Sequence, residues 1–243
     1  MDNGTNKISE SKTRALISVL DERLSLDPSR ILVVGCGTGQ EAGVLARYYS
    51  HAHTIGIDVG CQFALDHRGA QPARLMIMDA LKLAFRDQTF DFVYSFHALE
   101  HMSDAEQALT EMSRVLAPGG VFCVGTPNKK RLLGYIGSDT SWREKFAWNF
   151  ADYSYRIRGR WENHYGAHAG YDPDDLVNRC QRHFGSAQVV SDDYYCAAYA
   201  GQRRLLGLLS KAPAVKDRVL PCVYVVGRKP LQQAHDYESK QEG

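Results

Sequence analysis

The sequence predicts an α/β fold: a doubly wound, mostly parallel seven-stranded sheet with one antiparallel strand. Three observations carry this expectation. Short β-branched runs alternate with helical stretches from Arg30 to Val124, and such alternation buries a parallel sheet between two layers of helices. A glycine-rich turn, Gly35-Cys36-Gly37-Thr38-Gly39, follows the first run. The last run, Cys222–Val226 (CVYVV), comes too soon after its predecessor for a full crossover helix, so its partner should be antiparallel.

The elements follow in order. Ala15, Leu16, Val19, Leu20 and Leu24 share one face of a helix over 11–26, which Pro28 stops. Strands are expected at 30–34, 54–57, 73–78, 90–95 and 121–124. Between the first two, Ala42, Leu45, Ala46 and Tyr49 mark the buried face of a helix over 41–49. Ser103 and Glu106 are spaced as a capping box for the helix that buries Leu109, Met112 and Val115, and Pro118-Gly119-Gly120 ends it. From Asn128 to Tyr165 the pattern has no clean period. Asp172 and Pro173 suit the N-cap and first turn of a further helix with Leu176, Val177, Cys180 and Phe184 inside. A strand over 187–190, an irregular insert over 192–213 and the final strand complete the sheet.

The whole chain, 1–243, is read as a single domain. Residues 9–128 form a ligand-binding core, 129–171 a lid or substrate insert, 172–230 the rest of the sheet and 231–243 a tail. Residues 1–8 and the tail are expected to fray. Lys plus Arg number 29 and Asp plus Glu 28, a formal net charge of +1. That balance argues against a partner held by charge alone, nucleic acid above all. No apolar run approaches the roughly 20 residues of a membrane span. Six cysteines without a CxxC pair argue against a disulfide framework or zinc site and for a reduced, cytoplasmic setting.

The chemistry-bearing residues fall at strand ends, where ligands of such sheets bind. The glycine turn allows close backbone approach, and the helix behind it presents free amide donors. Position 40 is Gln and position 41 is Glu, so a pyrophosphate would meet a carboxylate there, which disfavours a nicotinamide cofactor. Asp58 can accept both hydroxyls of a ribose. Asp79 can accept from an adenine amino group or cap a turn.

Together these residues resemble the class I S-adenosylmethionine-dependent methyltransferases. The resemblance rests on GCGTG, on IGID ending at Asp58, on Met78-Asp79-Ala80 and on the FRDQTFDFV lead into the fourth strand. Leu99-Glu100-His101 resembles the L-E-H signature of the small-molecule, type 11 branch, and RVLAPGG over 114–120 follows the family's R-x-L-K-P-G-G with Ala117 for lysine. The resemblance implies a Rossmann-like sheet and S-adenosyl-L-methionine as cofactor. Gly35, Cys36, Gly37, Thr38 and Gly39 would hold its methionine part. Asp58 would hold the ribose, with Val59 next to it also in the cofactor-binding set, and Asp79 and Ala80 would hold the adenine, with Leu81 packing on it. Ser95 and Phe96 would lie near the sulfonium. Most members carry an acidic residue where this chain has Val33, which leaves their usual amino-group anchor missing.

The stretch Ser95-Phe96-His97-Ala98 lacks the Asn/Asp-Pro-Pro-Tyr of base methyltransferases. The expected partner is therefore a small-molecule acceptor, with no nucleic acid and no membrane span; a homodimer is left open. O-methylation of a sugar, phenol, polyketide or lipid-linked hydroxyl is the leading expectation. C- or N-methylation of a small metabolite or quinone is the runner-up, and a catalytically silent S-adenosylmethionine-binding protein is the alternative of another class. A hydroxyl acceptor must lose its proton as the methyl arrives, and histidine suits that task near neutral pH. His168 is the first candidate, His164 the second and His101 the third. No metal is required; His164 and His168 would share one only from a single helix face. No cysteine is expected in the chemistry, Cys36 lying in the cofactor loop. The aromatic insert over 142–161 reads as a lid, with Arg143, Arg156, Arg158 and Arg160 as candidates to meet an anionic group.

Overall fold

The computed structural model describes residues 3–60, 63, 72–135, 141–202 and 212–231. The tail from Gln232, together with Cys61, Arg203 and Arg204, lies outside the described residues. The sheet has seven strands: β1 (Arg30–Val34), β2 (His53–Asp58), β3 (Arg74–Ile77), β4 (Phe90–Phe96), β5 (Leu116–Pro127), β6 (Gln188–Val189) and β7 (Cys222–Arg228). Their order is β3-β2-β1-β4-β5-β7-β6. The pairs among β1 to β5 are parallel, and β7 runs antiparallel to both β5 and β6. The doubly wound sheet with one antiparallel strand is therefore as the sequence predicts.

Two apolar layers clamp the sheet. On one face α1 (Asn3–Leu24), α2 (Gln40–Tyr48) and α6 (Ser191–Ala198) bury Leu16, Leu20, Leu45 and Tyr194 against Val33, Tyr94 and Tyr224. On the other, α3 (Ala105–Val115) and α5 (Pro173–Phe184) bury Leu109, Met112, Leu176 and Phe184 against Leu32, Val93 and Phe122. The strand residues alternate between these layers, as the two-residue side-chain period requires. Val33 thus faces the core, beside Tyr94 with which it is paired across the sheet.

Several boundaries differ from the sequence reading. The first helix begins at Asn3 rather than near Ser11. Asp104, not Ser103, caps α3, its side chain accepting from the Gln107 amide at 3.0 Å. β5 begins directly after α3 at Leu116, and the Pro-Gly-Gly step is absorbed as a register shift against Phe90 and Phe92. The stretch without a period contains α4 (Trp142–Ile157), opened by a capping box between Ser141 and Glu144. Its aromatics occupy two faces, which hides the helical period. Trp148, Ala151, Asp152 and Tyr155 turn inward. Trp142, Phe146, Phe150 and Ile157 are largely exposed. The insert expected to be irregular from Asp192 instead carries α6, followed after the undescribed stretch by α7 (Pro213–Val219).

Candidate active site

Two cavities open at the carboxyl ends of the parallel strands. The first, about 470 Å³, lies over β1, β2 and β3 and is bordered by Gly35, Gly37, Asp58, Val59, Asp79, Ala80 and Leu81. Here the glycine turn is held by backbone bonds: the Gly35 and Cys36 amides both donate to the Ile57 carbonyl at 2.9 Å. Gly35 has φ +71°, and a Cβ there would stand 2.2 Å from the Ala98 Cβ. Only glycine lets the turn pass that close to the end of β4. Gly37, with φ +52°, faces open space. Asp58 ends β2 at the mouth of the cavity. Its Oδ2 accepts from the Gly37 amide and its Oδ1 from the Gly60 amide, both at 2.9 Å. Each carboxylate oxygen keeps a second lone pair for a ligand hydroxyl. Asp79 Oδ1 accepts from the Leu81 amide at 2.9 Å, which fixes the next turn and leaves the other oxygen free to face a ligand. A concave, glycine-backed site with two carboxylates fits a nucleoside.

Not every expected cofactor residue borders this cavity. The Cys36 side chain is buried beneath the turn, against Gly56. Thr38 and Gly39 sit behind the turn, Gly39 serving as the αL N-cap of α2. Ser95 is buried and its hydroxyl has no partner among the described residues. Phe96 points to the second cavity instead. Glu41, expected at the mouth of the turn, faces the other layer. It borders a small hollow of about 70 Å³ with Lys12, Tyr94 and Tyr224 and accepts from the Tyr94 hydroxyl at 3.3 Å. Burial pushes its carboxyl up to about 7. The clash with a pyrophosphate inferred from Glu41 therefore does not arise, because the side chain turns under the sheet.

The second cavity is larger, about 720 Å³, and is roofed by α4. Its walls are aromatic: Phe96, Tyr135, Trp148, Tyr155, Tyr194, Tyr195, Tyr199 and Tyr224. The Phe96 and Tyr224 rings are stacked, 5.5 Å apart at 11°. Arg131 clasps the roof to the sheet. Its guanidinium donates to Asp152 of α4 at 2.9 Å, to the carbonyls of Asn128 and Ala169 at 3.2 and 3.1 Å, and to that of His168 at 2.7 Å. Trp161 is sandwiched between Arg131 and Arg156, whose guanidinium carbons lie 4.9 and 4.3 Å from its ring. Arg156 is thus committed to packing, Arg143 lies over Trp142 and Arg160 over Tyr165.

His97 borders both cavities. It follows β4 with φ +49°, a conformation uncommon outside glycine and suggestive of a constrained site. Its Nδ1 is 3.2 Å from Glu100 Oε1, and its Nε2 is 3.4 Å from Cys222 Sγ. Burial opposes charge on the ring, but Cys222 and Glu100 outweigh it and push the imidazole up to about 10. The sequence gives no site role to His97, Glu100, Arg131 or Cys222, although Glu100 stands in the L-E-H stretch; for His97, its place at a strand end is the signal that points to it.

The three candidate bases fare differently. His168 borders the aromatic cavity and His101 the glycine-backed one, and their rings meet edge to face with centroids 4.8 Å apart. Burial, then the neighbouring His101, lowers the His168 pKa. His164 belongs to a short 3₁₀ turn, packs on Tyr165 at 4.0 Å and borders neither cavity. His164 and His168 do not share a helix face, and Asp172 is occupied in capping α5 and pairing with Lys130 at 2.9 Å.

A seven-stranded sheet of this order, with a glycine-backed cavity over β1 to β3 and an aromatic chamber beyond β4, defines a Rossmann-like fold. Residues 32–124 match the methyltransferase domain of the type 11 family. Over that stretch, and in its fold, the chain is similar to the class I S-adenosylmethionine-dependent methyltransferases. It is similar to the O-methyltransferase rstn1 of Aspergillus nomiae, 34% identical over 142 residues, covering 52% of this chain and 62% of the relative. The trans-aconitate 2-methyltransferase of Variovorax paradoxus is 28% identical over 141 residues, covering 56% of this chain and 54% of the relative. The chain thus spans less than two thirds of either relative. Among solved structures, the phosphoethanolamine N-methyltransferase 2 of Haemonchus contortus, in complex with S-adenosyl-L-methionine, aligns with a TM-score of 0.56 at 16% identity. That alignment covers 89% of this chain and 52% of the other.

Proposed function

We propose that the protein transfers the methyl group of S-adenosylmethionine to an oxygen of a planar small molecule, with His168 as general base. One observation carries this reading. A glycine-backed cavity that fits the cofactor abuts an aromatic chamber, and each contributes one ring to the His101–His168 contact. Asp58 holds the ribose, Asp79 and Leu81 the adenine, and Gly35 and Gly37 let the methionine part lie against the backbone. Bound there, the cofactor supplies an electrophilic methyl.

The chain's own residues do the rest. The aromatic faces hold a flat acceptor and exclude water, and α4 closes the chamber as a roof. Their main contribution is proximity and alignment for an in-line displacement. His168 is kept neutral by burial and by His101, so it can take the acceptor proton. The name of the Aspergillus relative agrees with oxygen as the methylated atom.

The test is turnover of the full chain with a panel of phenols and enolic polyketides. Release of S-adenosylhomocysteine and an O-methyl signal from a 13C-labelled donor are expected. Products methylated at carbon or nitrogen would replace this reading with the runner-up. Tight S-adenosylhomocysteine binding with no product from any acceptor would favour a silent cofactor-binding protein.

A further inference from the structure

Cys222 opens β7 opposite Pro127, at the catalytic edge of the sheet, and borders the aromatic cavity. Its sulfur lies 3.4 Å from His97 Nε2, and His97 Nδ1 lies 3.2 Å from Glu100 Oε1. The Glu100 side chain is 1% exposed. A thiol, an imidazole and a buried carboxylate therefore stand in line, the order of a nucleophile, its base and the group that orients the base. We propose that Cys222, His97 and Glu100 form a second reactive centre, in which the Cys222 sulfur adds to the electrophilic carbon of a conjugated carbonyl compound held in the aromatic cavity. This goes beyond methyl transfer and does not depend on it.

The geometry gives the Cys222 sulfur a proton acceptor at His97 and gives His97 a buried carboxylate partner at Glu100. Facing the pair are Glu100 from the 3₁₀ turn after β4, Glu41 from α2, Lys12 from α1, Tyr194 and Tyr195 from α6, and Tyr224 from β7. Burial pushes the three phenols up, so they stay neutral. The carboxylate of Glu100 then sides with an imidazolium at His97. Other cysteines lack this setting. Cys36, Cys123 and Cys180 are buried, and burial pushes the Cys36 and Cys180 thiols up to about 12. Cys196 is the other partly exposed cysteine among the described residues.

The step balances within these groups. The Cys222 S–H proton passes to His97 Nε2. An S–C bond forms at the β-carbon of the ligand while its C=C pair moves toward the carbonyl as an enolate. The imidazolium returns the proton to that enolate. No leaving group and no redox partner takes part. Flat aromatic walls suit a planar conjugated ligand, and thiolate sulfur is the reactive form toward such carbon.

The experiment treats the full chain with N-ethylmaleimide and follows adducts by intact mass and peptide mapping, which also resolves Cys61. Cys222 should be modified first, about tenfold or more faster than Cys196. His97→Gln should bring Cys222 down to the Cys196 rate, and Glu100→Gln should lower it in part. Thermal unfolding and circular dichroism check that each variant is folded. A wild-type Cys222 that reacts no faster than Cys196 overturns the proposal without recourse to any variant. So does a folded His97→Gln protein with an undiminished Cys222 rate.

Discussion

Asp58 reaches across from the end of β2 to the turn that leaves β1, its Oδ2 accepting the Gly37 amide at 2.9 Å. One carboxylate thereby fixes the shape of the glycine turn and presents its remaining lone pairs to the cavity that the turn borders. Strand end and turn are a single ligand-holding unit, although 21 residues separate them.

Loss of that carboxylate should be felt in cofactor binding. Asp58→Ala removes the acceptor proposed for the ribose hydroxyls and takes away the partner of the Gly37 amide. S-adenosylhomocysteine binding should weaken by about 1.5–3 kcal/mol, the range for hydrogen bonds to a charged group. Titration calorimetry checks this; affinity equal to wild type means the ribose is held elsewhere.

Arg131 is 2% exposed and its ion pair with Asp152 is buried at both ends. Removing one partner strands the other charge, which typically costs about 3–5 kcal/mol. Arg131→Ala should therefore lower stability by that order in urea denaturation. Because Arg131 also holds the His168 and Ala169 carbonyls, any folded fraction should show a raised KM for the acceptor. Loss of stability below about 1 kcal/mol would show that the clasp is dispensable.

How far the sequence discloses all this follows from the range of the forces. Strand positions, the glycine turn and the Asp58 and Asp79 ends are local patterns, and they recur in the structure within a few residues. The α4 roof was illegible because Trp142, Phe146 and Phe150 add an exposed apolar face to the inward one, which cancels the helical period. The family resemblance puts Phe96 on the cofactor side, but the strand pleat turns it into the aromatic chamber, against Tyr224 of β7. The joining of His97 with Cys222 spans 125 residues, and no spacing rule announces a contact made only by sheet closure.

Glu41 predicts an unusual pH dependence of stability. Burial raises its carboxyl from the ordinary range to about 7, so between those values the folded chain binds a proton that the unfolded chain releases. Its stabilising contribution is full below about pH 4.5 and is lost as pH rises through about 7. Glu41→Gln removes this dependence. Comparing urea midpoints at about pH 5 and pH 8, wild type should lose on the order of 2–3 kcal/mol relative to the variant. Parallel profiles for the two proteins would show that the side chain is solvated as well in the folded chain as in the unfolded one.

His168 gives the most direct test of the proposed base. Its ring borders the acceptor chamber, and burial and His101 lower its pKa. A base must be neutral to take a proton, so a lowered pKa extends its working range toward acid. The wild-type kcat profile should rise through an apparent pKa below the ordinary histidine value of about 6.5 and then level off. His168→Ala should lose that limb and lower kcat by about 10²–10⁴, the usual worth of general-base assistance. S-adenosylhomocysteine affinity should hold, because His168 does not border the glycine-backed cavity. His164→Ala, altering a residue that borders neither cavity, should leave kcat near wild type. Replacing His101 should shift the acidic limb upward by removing a neighbour that holds the His168 pKa down. That shift separates a base tuned by its neighbour from one that acts alone. If His168→Ala turns over at the wild-type rate with an unchanged limb, the proton leaves by another route, and His101, whose ring meets that of His168 from the glycine-backed side, is the group to replace next.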